Sequence, residues 1–272
     1  MEPRLQRRVQ RYGWDKAAEH YEGFWRAQLR PAQDLLMELA ALKPGERVLD
    51  VACGTGLVTF RAAEAVGAQG EVVGTDISQA MVDVCGELAA RRGIANVRFE
   101  RMDAEEHALP DASFDVALCA LGMMYVPDPV RAFVEQLRLL KQGGRAVAAV
   151  WGQRDRCGWA EIFPITDARV ESEVCPMFFQ LGTKEALKTS FEMAGLADVE
   201  LRRLPSILEY ASDEDALGAA FMGGPVALAY SKFDNATKDA VHTEYLASIE
   251  PYRNGDGYRV PGEFVVGIGW KR

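Results

Sequence analysis

The apolar positions of this chain fall into two rhythms. Residues 4–42 carry them at helical spacing, with Leu29, Leu35, Leu36, Leu39 and Leu42 on the pattern, and Pro44-Gly45 stops the run. From there to Trp151, short apolar blocks alternate with amphipathic stretches. Arg47–Ala52 reads as a buried strand, Gly54–Gly56 as a turn and Leu57–Val66 as a helix. Glu71–Asp76 is a second strand, followed by Ser78 as the cap of a helix reaching Ala90. Asn96–Glu100 and Phe114–Ala120 are the third and fourth strands. Pro129–Leu140 is a helix ending at Gln142-Gly143-Gly144, and Arg145–Trp151 is a fifth strand.

Strands separated by helices of about 10–15 residues predict a doubly wound, Rossmann-like α/β fold, its parallel sheet covered on both faces. Ligands of such folds sit beyond the carboxyl ends of the strands, where the strand order reverses. Chemistry is therefore expected at 52–56, 76–78, 103–104 and 119–125. Beyond Trp151 the rhythm changes. Residues 153–182 show no clean period, Thr183–Ala194 is helical, and Asp198–Leu204 and Glu263–Trp270 read as strands around a helical stretch at 212–258. The expected organisation is a single domain over 1–272. It has an N-terminal helical segment (1–42), a binding core (43–152) and two insertions (153–182 and 212–258) forming a helical lid.

Composition narrows the function. Of 272 residues, 49% are hydrophobic, enough for a sizeable core, and the formal net charge is −9. An acidic chain argues against nucleic acid, whose phosphates need a basic face. The basic cluster Arg4, Arg7, Arg8 and Arg11 is short and reads as a solvated helix face. Five scattered cysteines and three histidines contain no Cys-x-x-Cys pair, which points to reduced thiols in a cytoplasmic protein and to no metal site. No apolar run approaches the ~20 residues that span a bilayer, so no membrane insertion is expected.

The informative segment is Val48-Leu49-Asp50-Val51-Ala52-Cys53-Gly54-Thr55-Gly56. Two glycines at a strand-to-helix turn let a ligand approach the backbone. A G-x-G turn alone also serves helix packing, but Asp76 ends the next strand, where a carboxylate accepts from both ribose hydroxyls. The pair signals a nucleoside. A dinucleotide fold prefers a third glycine at the position that Thr59 occupies. Asp50 before the turn suits a cationic amine or sulfonium better than two phosphates. This tilts the reading from NAD toward S-adenosylmethionine.

Val48–Gly56 together with Val73-Gly74-Thr75-Asp76-Ile77-Ser78 resembles the first two motifs of class I S-adenosylmethionine-dependent methyltransferases of the ubiquinone/menaquinone-biosynthesis type. Arg101-Met102-Asp103-Ala104 with Leu109-Pro110-Asp111-Ala112-Ser113-Phe114-Asp115 resembles the third, and Leu139–Gly144 the turn before the fifth strand. The resemblance covers residues 40–152 closely. It implies S-adenosylmethionine as cofactor, a small-molecule acceptor, and a seven-stranded sheet whose last strand is antiparallel. It also implies roles by position. Gly54 and Gly56 pass the methionyl portion, with Ala52 backbone groups and Asp50 at its charged end. Asp76 holds the ribose, Ile77 and Met81 flank the adenine, Asp103 and Ala104 meet its polar edge, and the carbonyl of Cys119 meets the methionyl amine.

Methyl transfer from a sulfonium is a direct displacement, so alignment and exclusion of water come before any base. Many relatives carry a histidine in the loop after the fourth strand, where this chain has Met123-Met124, which points to an apolar acceptor pocket. Tyr12, Trp14, His20 and Tyr21 are aromatic candidates in a segment that folds over the cofactor in similar proteins. Tyr21 matches the tyrosine of an Ala-x-x-Tyr pattern and is the preferred positioning residue, although a helix-packing stripe explains each of them equally well. His107 reads as a solvated loop residue, and His242 has no visible partner. Trp159, Phe163, Met177, Phe178, Phe179, Phe221, Met222 and Tyr230 form a set suited to an apolar or aromatic acceptor, or simply to packing the lid.

Overall fold

A computed structural model describes residues 2–171, 174–175 and 177–272; three residues of the 153–182 segment therefore lie outside it. The chain begins with one long helix, α1 (Pro3–Ala40), closed by Ala41 in the left-handed conformation. Its buried residues Gln6, Gln10, Gly13, Ala17, Trp25, Leu29, Ala32, Leu36 and Ala40, with the partly buried Tyr21 between Ala17 and Trp25, recur at three- and four-residue steps, so one face packs inward along its length.

Then follow β1 (Arg47–Val51), α2 (Thr59–Val66), β2 (Glu71–Asp76), α3 (Gln79–Arg92), β3 (Val97–Arg101), β4 (Phe114–Ala120), α4 (Pro129–Leu139) and β5 (Leu140–Trp151). Two helices start as the sequence dictates. The Ser78 side chain accepts from the Met81 amide, and Asp128 accepts from Arg131 just before Pro129. The remainder comprises α5 (Ile162–Asp167), α6 (Ala186–Met193), β6 (Ala197–Tyr210), α7 (Asp213–Leu217), α8 (Ala227–Tyr230), α9 (Asn235–Ile249), β7 (Arg253–Asn254) and β8 (Gly257–Trp270).

The sheet order is β3-β2-β1-β4-β5-β8-β6, with β7 pairing only to β8. β1 to β5 run parallel, and β8 is antiparallel to both β5 and β6. The expected seven strands with an antiparallel last strand are present, and two-residue β7 adds an eighth. Strands β1, β2 and β4, and β5 from Ala146 onward, are almost wholly buried, as both-faced coverage requires. Chain order reverses between β1 and β4, which sets the crevice at their carboxyl ends.

β6 and β8 are each 14 residues long, well beyond the segments expected from the pattern. Pro205 and Pro261 hide this length. Pro205 lies on the edge strand β6, where a missing donor is tolerated. Pro261 lies where β8 has already run past Trp151, the end of β5, and pairs with β6 alone. The 212–258 stretch thus connects two long strands through α7, α8 and α9, and α8 packs on α1.

Candidate active site

The ends of β1 and β4 carry the most constrained backbone of the crevice. Ala52 (φ 56°) and Leu121 (φ 61°) are both left-handed, a conformation that costs a residue with a Cβ about 1–3 kcal/mol. They are held there by close contact. A Cβ on Gly122 would stand 2.4 Å from the Ala52 Cβ, so only glycine lets the β4 loop touch the β1 turn. Gly54 (φ 55°) continues the turn with its amide aimed at Asp76.

A cavity opens over these strand ends. Tyr21, Ala52, Gly54, Asp76, Ile77, Met81, Asp103 and Ala104, all singled out from the sequence, line it. Asp50, Gly56 and Cys119 do not. Asp50 lies beneath the turn, Gly56 faces Phe60 and Cys85, and the wall at the end of β4 begins at Ala120. Sequence reasoning missed Arg7, Gln10, Thr75 and Met102, and it reached Tyr125 only as the end of the 119–125 segment.

Asp76 is the best-prepared group. Its Oδ2 accepts from the Gly54 amide at 2.9 Å and its Oδ1 from the Ser78 amide at 2.9 Å. Burial pushes its carboxyl up to about 6, against backbone donors at Ser78, Gly54 and Ile77. Asp50 accepts from the Thr59 hydroxyl at 2.6 Å through Oδ2, while its buried Oδ1 and the nearby buried Thr55 hydroxyl have no partner. Burial raises Asp50 to about 7, with the Asp76 charge adding to the effect. Two buried carboxylates without a cation between them leave the turn short of positive charge. Burial, reinforced by the same two carboxylates, raises the Tyr21 phenol, so it remains a hydrogen-bond donor at any working pH.

α1 closes the cavity. Arg7 Nε lies 2.7 Å from Asp103 Oδ2, and Arg7 also pairs with Glu105. Asp15 Oδ1 accepts from the Ser78 hydroxyl at 2.6 Å and from the Ala80 amide at 3.3 Å, at the positive end of α3. Gln6 donates to the Tyr125 carbonyl at 3.3 Å. Arg7 is therefore not part of a solvated face. The signal was available: Arg7, Gln10, Trp14, Tyr21 and Trp25 fall on one helical face, but its polar and aromatic mixture does not read as an apolar stripe. Tyr12 and His20 point away, exposed.

A second, smaller cavity adjoins the first, and Trp14, Tyr21, Leu121 and Tyr125 line both. Its remaining wall includes Trp25, Met124, Trp151, Trp159 and Phe178. The Trp14 ring meets Tyr21 and Tyr125 edge-on at 5.7 and 5.1 Å. Phe163 and Phe179 back this chamber from behind, with Phe163 4.6 Å from Phe178. Phe221 and Tyr230 belong elsewhere, in a cluster with His242 and Tyr245. There the Tyr230 hydroxyl lies 2.9 Å from His242 Nε2, a partner the sequence did not reveal. His107 is also not solvated. It is buried against the Thr75 hydroxyl at 3.1 Å, and burial pushes it down to about 4.

A doubly wound sheet with a glycine turn at its switch point and an acidic residue ending β2 defines a nucleoside-binding enzyme of the class I methyltransferase fold. The family described as "Methyltransferase domain" matches residues 42–194. The chain belongs to this family, in its class I S-adenosylmethionine-dependent branch. It is 31% identical to demethylmenaquinone methyltransferase of Lysinibacillus sphaericus, over 71% of this chain and 80% of that one. It is 35% identical to aklanonic acid methyltransferase DauC of Streptomyces sp. strain C5, over 48% of this chain and 60% of that one. The chain spans about half the length of several curated relatives that it matches. In fold it is similar to phosphoethanolamine N-methyltransferase 2 of Haemonchus contortus in complex with phosphomonomethylethanolamine and S-adenosylhomocysteine. That likeness has a TM-score of 0.62 at 18% identity, covering 94% of this chain and 58% of that one. Among the described residues no helix is long and apolar enough to cross a membrane.

Proposed function

We propose that the protein transfers a methyl group from S-adenosylmethionine to a small, apolar or aromatic organic acceptor held in the aromatic chamber. One observation carries the reading: a cavity lined by the buried Asp76 carboxylate shares a wall with a chamber rich in aromatic rings. S-adenosylmethionine, when bound, supplies a methyl group made electrophilic by a sulfonium.

The residues present suit that cofactor. Asp76, which lines the cavity, offers acceptors to two ribose hydroxyls, and the charge of Asp50 beneath the turn, its Oδ1 without a partner, favours an ammonium above it. Asp76 would hold the ribose, Ala52, Gly54 and Asp50 the methionyl end, and Ile77, Met81, Asp103 and Ala104 the adenine side. Gly56 supports this from the turn itself, and Cys119 from beneath the wall. Asp103 already holds Arg7, so α1 and the adenine would meet at the same carboxylate.

On the acceptor side the chain supplies shape. No His, Asp, Glu, Lys or Arg lines the chamber among the described residues, and burial raises the phenols of both Tyr21 and Tyr125. Neither phenol serves as a base, so the acceptor reaches the chamber already nucleophilic or loses its proton to solvent. Tyr21, on the shared wall, aligns acceptor and cofactor, and the rings around it exclude water by direct packing. In this layout residues 1–42 and the insertions at 153–182 and 212–258 form the covering layer of one domain over 1–272. Incubation with S-adenosylmethionine and a panel of small phenols, enols, amines and thiols tests the reading by mass spectrometry. A product 14 mass units (about one CH2) heavier than its acceptor, formed with S-adenosylhomocysteine, supports it. Tight cofactor binding with no such product from any acceptor class contradicts it.

A further inference from the structure

Four arginines border one surface concavity beside the cofactor cavity. Arg7, Arg8 and Arg11 come from α1 and Arg101 from the end of β3, and the exposed Tyr12 ring lines the same space. Its inner wall is Ile77, Met102 and Asp103, which the cofactor cavity shares. Arg7 is held by Asp103 and Glu105. The side chains of Arg8, Arg11 and Arg101 have neither an ion-pair partner nor a hydrogen bond among the described residues, and the Nε of Arg11 is buried without an acceptor. The contrast with other arginines is plain: Arg47, Arg98, Arg138 and Arg145 all face carboxylates, in a chain whose formal net charge is −9. Like charges in one concavity repel, and a buried guanidinium N–H that lost water without gaining an acceptor is costly.

We propose that this concavity binds a small polyanion of the phosphate class, either a free diphosphate or a phosphate-bearing headgroup, with Arg8, Arg11 and Arg101 as its ligands. Planar guanidinium forks match phosphate oxygens two at a time, and Arg serves such recognition better than a point charge does. A single carboxylate would offset one of the three unpaired charges and leave the others facing each other. A diphosphate has charge and oxygens enough for all three, including an acceptor for the orphaned Arg11 Nε. Asp103, the one acid on the wall, is already offset by Arg7. The site stands apart from the methyl-transfer reading, because Arg8, Arg11 and Arg101 line neither the cofactor cavity nor the aromatic chamber.

The test is calorimetric titration of the full chain with inorganic pyrophosphate and with acetate at physiological ionic strength, where diffuse attraction between exposed charges is screened. Co-sedimentation with phosphatidylcholine vesicles, with and without phosphatidylglycerol, runs beside it. We expect pyrophosphate to bind and acetate not to. Arg11→Gln and Arg101→Gln should each weaken pyrophosphate about tenfold, the scale of a lost charge-assisted hydrogen bond. Arg4→Gln removes a neighbouring exposed charge outside the concavity and should leave the affinity within about twofold, as a screened, distant charge does. All three variants should melt no lower than wild type, since each removes like-charge repulsion. Pyrophosphate binding without sedimentation assigns a free ligand. Sedimentation that needs phosphatidylglycerol, is competed by pyrophosphate and is lost in the same two variants assigns a headgroup. Binding of neither probe, equal binding of acetate, affinity unchanged by Arg11→Gln and Arg101→Gln, or an equal loss in Arg4→Gln would each overturn the proposal.

Discussion

The two cavities are neighbours with a shared wall, yet they are built on opposite principles. The first is made by backbone: two left-handed non-glycine residues, a glycine that touches Ala52, and amides aimed at Asp76. The second is made by side chains from α1, the loop after β4, the β5 end and the 153–182 segment, mostly rings with Leu29, Leu121 and Met124 among them, and by the Gly224-Pro225 stretch. Backbone geometry at a turn constrains residue type locally, so it leaves a contiguous motif. A chamber assembled from residues more than a hundred positions apart constrains only size and polarity, and many sequences satisfy that.

Four measurements bear on this contrast. The largest effect belongs to the ring cluster. Phe163 is 5% exposed and packs on Trp159, Phe178 and Phe179, so Phe163→Ala should cost about 3–5 kcal/mol in chemical denaturation. An unchanged midpoint would show that the segment is not part of the core. Next, Asp76→Ala removes the acceptor of two amides and the expected ribose partner. It should weaken S-adenosylmethionine binding by about 1.5–3 kcal/mol in a folded protein. Unchanged affinity would remove Asp76 from the site.

Third is pH. Asp50 and Asp76 have their carboxyls raised to about 7 and about 6, so the free protein binds protons there that a cationic ligand would expel. Affinity for S-adenosylmethionine should therefore rise about tenfold from pH 6 to pH 8, with proton release on binding. Stability runs with the opposite sign. Raised carboxyls favour the fold below their unfolded value near 3.8, and that contribution is lost as pH climbs through about 6–7. A flat affinity profile would mean that neither carboxylate faces the ligand's charge. The smallest effect is at the α1 latch. Arg7→Gln breaks a partly exposed pair with Asp103 and Glu105 and should cost under about 1 kcal/mol of stability. It should nevertheless speed cofactor dissociation severalfold in stopped-flow measurements. An unaltered rate would mean that α1 does not gate the cavity.

What the sequence made legible follows the same division. The doubly wound class, the placing of the site beyond the strand ends and much of the first cavity's lining were readable because apolar blocks, caps and glycines mark them in order along the chain, whereas the antiparallel last strand was implied only by the family resemblance. Cys119 and Gly56 fall short of the lining for a local reason: one residue along a strand end, or one turn position, decides whether a group faces the cavity. Arg7 and Trp25 were not anticipated because the face they share on α1 alternates charge, amide and ring. The environments of His107 and His242 were unreadable for a different reason. Thr75 and Tyr230 reach them only through tertiary packing, and polarity of the flanking loop says nothing about that. The full length of β6 and β8 was masked by Pro205 and Pro261, each tolerated because of a strand position that only the assembled sheet defines.

The central claim is that the turn at the end of β1, with Asp50 and Asp76, forms an S-adenosylmethionine site. Parallel calorimetric titrations with S-adenosylmethionine, S-adenosylhomocysteine and NADH test it most directly. The account predicts micromolar binding of the first two and none of NADH. Binding of NADH alone would contradict it and assign the glycine turn to a dinucleotide.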